Sequence, residues 1–308
     1  MTYPKALPTQ TNFWRDHQAL FSEVIFVIVV VIWGVTFIFT KDALRVIGPF
    51  AYNTIRMLVG AITLALLVGH DWQSVSRIYL WPSLVTGFIL FGSYAVQAYG
   101  MQFTTASKAG FLTGTNLVYV PILSAWLLRR APSRTAVSGV ILAFIGLYLI
   151  SFEGGLGGLT IAPGDFWVAL GGLGWALYII VLTRYSPHLN VMAYAALHVF
   201  MAALMSGVCW LLIEPLTVPV TSSALWMGVF TTGFLIIGLG TSVQTWVTRT
   251  ASPTRVALIA ALEPVFAAVG GWWVGEAITP RILTGGMLIL AGMLLAELGH
   301  LLRLKCYE

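Results

Sequence analysis

The sequence predicts an all-α membrane protein, ten transmembrane helices arranged as two inverted five-helix repeats. Three observations carry that reading. Of the 308 residues, 58% are hydrophobic and only 9% are charged, with a mean hydropathy of +0.89. A soluble domain carries roughly 25% charged residues, so this chain lacks the polar surface it would need to face water. Apolar segments near 20 residues recur along its length, enough to cross a hydrocarbon core of about 30 Å. Finally, two stretches are near copies: Thr105 to Pro121, TASKAGFLTGTNLVYVP, and Thr250 to Pro264, TASPTRVALIAALEP. Both open on Thr-Ala-Ser, place a basic residue shortly after it (Lys108, Arg255) and run through apolar residues into a proline.

Residues 1–22 are polar and aromatic, with Pro4 and Pro8, and are expected to form a cytoplasmic N-terminal segment. The first apolar run starts near Val24 behind this polar lead, without a small-residue cleavage site, and reads as a retained span and not a signal peptide. Ten apolar segments are expected near 24–44, 50–69, 79–103, 105–128, 134–152, 163–184, 189–213, 223–248, 253–274 and 280–302. HDWQSVSR divides the second from the third, RRAPSR the fourth from the fifth, and EGGLGGLTIAPGD the fifth from the sixth. RYSPHLN, EPLTVPVTSS and GEAITPR then bound the later spans, and residues 303–308 form a tail. The shortest junction is Thr104–Ser107, where nine spans with one long bent helix is the alternative count.

Basic residues are retained on the cytoplasmic side of a membrane. With the N-terminus inside, that side collects Lys5, Arg15, Arg77, Arg129, Arg130, Arg134, Arg184, Arg249, Arg255, Arg303 and Lys305. The opposite side and its flanks hold Lys41, Arg45, Arg56, Lys108 and Arg281, and eleven against five favours both termini inside. The net charge of +5 is thus a topological signal. It forms no folded basic face of the kind that binds nucleic acid, and none is expected as a partner.

The halves match in register. Trp33 pairs with Trp175, Tyr52 with Tyr194 and Arg56 with His198 at an offset of 142. The Thr-Ala-Ser turns are offset by 145, Pro121 and Pro264 by 143, and Gly139 and Gly146 match Gly285 and Gly292 at 146. The expected division is a first repeat at 23–153 and a second at 154–302. Five spans per copy is an odd number, so the second copy enters the bilayer from the opposite face. Inverted repeats of this kind recur in secondary transporters, with the substrate site near the midplane between them. A duplication that only built a stable bundle is the plainer reading.

Within spans, polar groups single themselves out. Glu263 falls near the middle of the ninth, where an ionised carboxylate is expensive unless paired or hydrated. It suits proton coupling or an ammonium group of a substrate, or else a structural acid bonded across helices. Pro264 and Pro121 deprive the carbonyls of Ala260 and Leu117 of their helical partners, which a membrane tolerates only where a neighbour or a wet cavity satisfies them. Tyr94, Gln97, Tyr99, Asn116, Tyr119, Gln244 and Trp246 form the next set, and an aromatic-walled cavity with a few amides suits a zwitterion with an apolar side chain. Trp33 and Trp175, each beside a small residue, read as cavity walls or as close-packing sites. Tyr178 completes the candidate binding set of Trp33, Tyr94, Gln97, Tyr99, Asn116, Tyr119, Trp175, Tyr178, Gln244 and Glu263. Arg56 and His198 are expected near the outer ends of their spans, with Arg56 snorkelling to the interface in preference to holding a carboxylate. Trp72, Trp81, Trp226, Trp272 and Trp273 read as interface anchors. The glycine pairs of spans five and ten read as packing or dimer contacts.

With Trp33-Gly34, Phe37, Lys41, Arg56, Pro121, Leu262-Glu263-Pro264 and Gly275-Glu276 in this register, the sequence resembles the drug/metabolite transporter superfamily, in its EamA-type branch. The resemblance spans about 24–302 and rests on the ten-span plan, since no single motif is specific. It implies a ten-helix exporter of small metabolites, often amino acids, in a bacterial inner membrane, most similar to the aromatic amino-acid exporters. Arg129-Arg130 departs from the Gly-Glu-like turn that often ends the fourth span.

Other chemistry is not signalled. There is no GxxxxGK[ST] loop for ATP, no HExxH, no clustered Cys and His and no GxSxG frame, so no catalytic, cofactor or metal site is expected. GGLGG at 154–158 reads as a flexible connection, and Cys209 and Cys306 have neither disulfide nor metal spacing. The expectation is a multi-pass exporter of small molecules, amino acids foremost, working by alternating access, as a monomer or dimer, with the proton gradient as candidate driver. The alternatives are an exporter of cationic or aromatic drugs, an intramembrane enzyme and a receptor without transport.

Overall fold

The computed structural model describes residues 10–104, 106–129, 132–151, 162–263, 265–266 and 279–305, and no strand occurs among them. The chain forms α1 (Gln10–Ala43), α2 (Pro49–Val68), α3 (Leu80–Met101), α4 (Ala106–Gly114), α5 (Asn116–Leu127) and α6 (Arg134–Ser151). There follow α7 (Pro163–Tyr185), α8 (Val191–Ile213), α9 (Ser223–Gly228), a π-helical segment (Val229–Gly240), α10 (Thr241–Thr250), α11 (Pro253–Ala260) and α12 (Pro280–Lys305). Helices satisfy every backbone group internally, which is what an apolar environment demands. Proline occupies the first turn of α2, α7 and α11, where no intrahelical donor is lost. The side chain of Asn190 caps α8 by accepting from Ala193 N at 3.1 Å.

Among the described residues, five stretches are long and apolar enough to cross a membrane: Pro49–Gln73, Arg77–Met101, Pro163–His188, Val191–Ile213 and Ser223–Thr250. Their outer faces present large apolar side chains such as Leu66 and Leu212, each more than three-quarters exposed, as a lipid-facing surface requires. Trp72, Trp81 and Trp226 are exposed near helix ends, in keeping with an anchoring role. Two helix boundaries bear on the expected spans. α1 begins at Gln10 and not near residue 24, because hydropathy marks the bilayer and not the start of the helix. α3 ends at Met101 and α4 begins at Ala106, so one long bent helix is not formed. Most of EGGLGGLTIAPGD, Pro264, the rest of the ninth span with Trp272, Trp273, Gly275 and Glu276, and Cys306 lie outside the described residues.

Contacts between distant residues sort the helix termini into two ends. At one end the Glu23 carboxylate accepts from Arg255 Nη2 at 2.8 Å and Ser22 shares a hydrogen bond with Thr250 at 2.8 Å. Here too Asn190 donates to Asp71 Oδ2 at 2.8 Å, and Ser186 meets Thr248 at 3.3 Å. At the other end the Glu214 carboxylate accepts from Phe50 N and Ala51 N, each at 2.9 Å, seating an anion on the N-terminus of α2. Thr104 donates to Asp165 at that same end. Antiparallel packing follows. Gly139 lies against the Gly292 carbonyl and Gly146 against the Gly285 carbonyl, so α6 and α12 cross backbone to backbone. Small residues permit this approach, and those glycines serve packing within the chain.

Candidate functional site

A cavity of about 90 Å³ lies inside the bundle, several times the ~10–15 Å³ that one water needs on the same measure. Its walls come from α1, α2, α3, α4, α5, α7, α10, α11, the π segment and the broken region after α11. On α1 it touches Trp33, Thr36 and Thr40, one face at helical spacing. Thr40 and Met101 bring it towards the Glu214 end. Trp33 is ten residues, about 15 Å of helix, from Glu23 at the other.

Two broken helices supply polar side chains. α4 gives way to α5 at Thr115, whose N–H reaches back to Leu112 O at 3.4 Å, and α5 opens with Asn116 in the cavity wall. α11 ends at Ala260; Ala261 and Leu262 form a turn, and helix resumes at Glu263, also in the wall. Leu262 N bonds Ile259 O at 3.1 Å and Val265 N bonds Leu262 O at 2.9 Å, the tighter pattern that bridges the break. The π segment carries two further wall residues, Thr232 and Ile236. Such segments are rare, appear mostly as single turns, and are frequent at functional sites.

Eight of the ten sequence candidates line this one cavity: Trp33, Tyr94, Gln97, Asn116, Trp175, Tyr178, Gln244 and Glu263. Gln97 is 7% exposed and donates to Thr113 Oγ1 at 2.9 Å. The Tyr94 ring meets Trp175 edge-to-face at 4.7 Å, and Trp175 meets Tyr178 in the same manner at 5.8 Å. Glu263 is partly buried and makes no hydrogen bond among the described residues. Tyr99 and Tyr119 are not brought there. Tyr99 is 41% exposed against Phe103 and Trp167, and Tyr119 packs on the apolar core that includes Leu117 and Val120. Trp246 lies at the Glu23 end, against Phe21.

Arg56 and His198 correct the expectation that they sit at the outer ends of their spans. Arg56 is 4% exposed and lines the cavity, its guanidinium over the rings of Tyr52 at 4.7 Å and Tyr94 at 4.3 Å. Stacking on aromatic faces holds the cation inside the bundle, so snorkelling is not needed. His198 is fully buried: Nδ1 meets the Tyr194 carbonyl at 2.7 Å and Nε2 the Tyr178 hydroxyl at 3.0 Å. A carbonyl can only accept, so Nδ1 carries the proton, and a neutral ring takes the Tyr178 hydroxyl on Nε2. Sequence reasoning also passed over Thr36, Thr40, Thr113, Thr232 and Thr241. A threonine in an apolar helix usually bonds its own backbone, as Thr232 does to Gly228 O at 2.6 Å, and so carries no distinct signal.

Arg56 and Glu263 are the only charged groups among the described lining residues. Around them stand aromatic rings, hydroxyls and three carboxamides, an arrangement suited to hold a small, partly apolar molecule by one or both charges.

The EamA-like transporter family model matches residues 20–152 and again 162–298. A transporter of Archaeoglobus fulgidus whose substrate its name does not give is 29% identical over 91% of this chain and 86% of its own length. A Salmonella typhimurium protein named "probable amino-acid metabolite efflux pump" is 27% identical over 90% of this chain and 94% of its own. A solved crystal structure aligns with a TM-score of 0.75 over 90% of this chain and 96% of that one, at 18% identity, a likeness of fold alone. The chain belongs to the EamA-like transporter family.

Proposed function

From that membership we propose a secondary transporter with ten spans in two inverted five-helix halves, both termini cytoplasmic. It exports small metabolites, amino acids including aromatic ones, across a bacterial inner membrane by alternating access. The observation that carries this reading is the cavity, which holds one cation, one acid and aromatic walls inside the bundle and stops short of the Glu23–Arg255 end.

Paired contacts support the inverted halves. Tyr52 bonds Thr232 at 2.9 Å and Tyr194 bonds Thr86, residues related at offsets of 142 and 146. Gly233 lies under the Arg56 carbonyl as Gly87 lies under that of His198. Glu214 holds the start of α2 from beyond α8, while Asp71 holds Asn190 at the start of α8 from beyond α2. These three pairs of contacts match near the offset that relates the proposed halves, and α2 and α8 start at opposite ends of the bundle. Basic residues support the orientation, since the α3, α6, α10 and α11 termini at the Glu23 end bear Arg77, Arg134, Arg249 and Arg255.

Substrate binds in this cavity, with Trp33, Tyr94 and Trp175 around its apolar part. Glu263 is the candidate proton-coupling group. Export of cationic or aromatic drugs is the second reading, favoured by the same acid beside aromatic rings. Counterflow in proteoliposomes with radiolabelled amino acids and common cationic drugs tests both. Exchange of amino acids is expected; exchange of drugs alone selects the second reading, and exchange of neither removes the carrier.

A further inference from the structure

Arg56 is short of an anion. A guanidinium carries five N–H donors and cannot lose its charge. Two nitrogens, Nε at 3.0 Å and Nη2 at 2.7 Å, donate to one oxygen, Asn53 Oδ1. Tyr52 and Tyr94 engage its faces, which leaves N–H groups along the edge without an acceptor among the described residues. No carboxylate forms an ion pair with it among the described residues. Glu263, the acid among the described lining residues, is not bonded to it. A charge inside a membrane protein is ordinarily paired or hydrated.

The matched position in the second half is different. His198 has both ring nitrogens satisfied by Tyr178 and Tyr194, so that half is closed upon itself. Among the described residues this open donor edge has no counterpart at the matched position, and it lies on the wall shared by Tyr94, Trp175 and Glu263.

Resting on the transport reading above, we propose that the free edge of Arg56 recognises the anionic end of the cargo. The molecules this cavity accepts then carry a carboxylate, bound through charge-assisted hydrogen bonds whose planar geometry a guanidinium matches. Asn53, fully buried and three residues earlier on α2, fixes the fork from behind. Trp33, Tyr94 and Trp175 receive the apolar part, and an ammonium group, where present, turns towards Glu263. A molecule that offers only a cation leaves the guanidinium uncompensated and is rejected.

The test uses the full chain in proteoliposomes and three counterflow probes: L-phenylalanine, 3-phenylpropionate and L-phenylalaninamide. Wild type exchanges the two carboxylates about tenfold or more faster than the amide. Arg56→Gln brings that ratio near one, and Arg56→Lys, which keeps the charge and loses the fork, retains part of it. A ratio is read because a general loss of folded protein leaves it unchanged; should Arg56→Gln fail to fold, the drop in Arg56→Lys is read in its place. Equal exchange of amide and acids by wild type, or a wild-type ratio in the folded variants, overturns the anion site. Exchange of the amide alone overturns it and leaves the carrier standing, whereas exchange of none of the three overturns both.

Discussion

Glu23 and Arg255 are 232 positions apart in the chain, and their side chains meet at 2.8 Å at the end of the bundle that the cavity does not reach. Side-chain exposures of 11% and 19% make this a largely buried pair. Removal of one partner breaks this ion pair. The expected cost is about 1–3 kcal/mol, below the full buried-pair value because both groups keep some solvent. Glu23→Gln should therefore lower the melting temperature and open a route to the cavity from this end. A cysteine at Gln244 would then react with a thiol reagent supplied on that side. The charge-reversed double variant Glu23→Arg, Arg255→Glu should recover both properties. Lasting loss in the double variant would mean the pair does not act as a clasp.

Glu263→Gln keeps size and hydrogen-bonding capacity and removes the ionisable proton. If Glu263 carries the coupling proton, this variant should lose flux driven by a pH gradient while substrate exchange at equal pH continues. Tyr94, Tyr178 and Arg56 face the same cavity and remain in place, so the change isolates the carboxyl. Unchanged gradient-driven flux would remove Glu263 from coupling.

The backbone crossing of α6 and α12 admits no side chain at Gly146, which lies on the Gly285 carbonyl. Gly146→Leu should destabilise the protein by about 1–3 kcal/mol or more, since neither backbone can yield. Gly92 faces open space, and Gly92→Ala is expected to be neutral or to stabilise by up to ~1 kcal/mol. Thermal melting in detergent compares the two. Equal melting temperatures would show that the crossing is looser than described.

His198→Phe removes the acceptor of the Tyr178 hydroxyl in a fully buried place. A loss of about 1–3 kcal/mol is expected from the unpaired group. The ratio of acid to amide exchange should stay at its wild-type value, because His198 does not line the cavity. A changed ratio would bring this half into recognition.

Much of this was legible in the residues, for reasons that also explain what was missed. Gln97, Asn116 and Glu263 stand out because an amide or acid within apolar sequence needs a partner or water, and all three line the cavity. Arg56 escaped because it lies seven residues after the start of α2, where a long cation usually reaches the interface. The available signal was Tyr52 at i−4 and Asn53 at i−3, which place an aromatic face and an acceptor beside it on the same side of the helix. Tyr99 and Tyr119 show the limit of a residue-type argument, since only packing decides which face of a helix turns inward. The π segment was not foreseeable. Nothing in VFTTGFLIIGLG distinguishes a hydrogen bond to the fifth residue back from one to the fourth.

The most direct measurement of the whole account is substrate-protected labelling of single cysteines in otherwise cysteine-free protein. Gln97→Cys, Asn116→Cys and Gln244→Cys should react with a small aqueous thiol reagent and be shielded by an exchanged substrate. Tyr99→Cys should react without protection. Inert cysteines at all three cavity positions, in every condition that supports exchange, would contradict a route through this cavity.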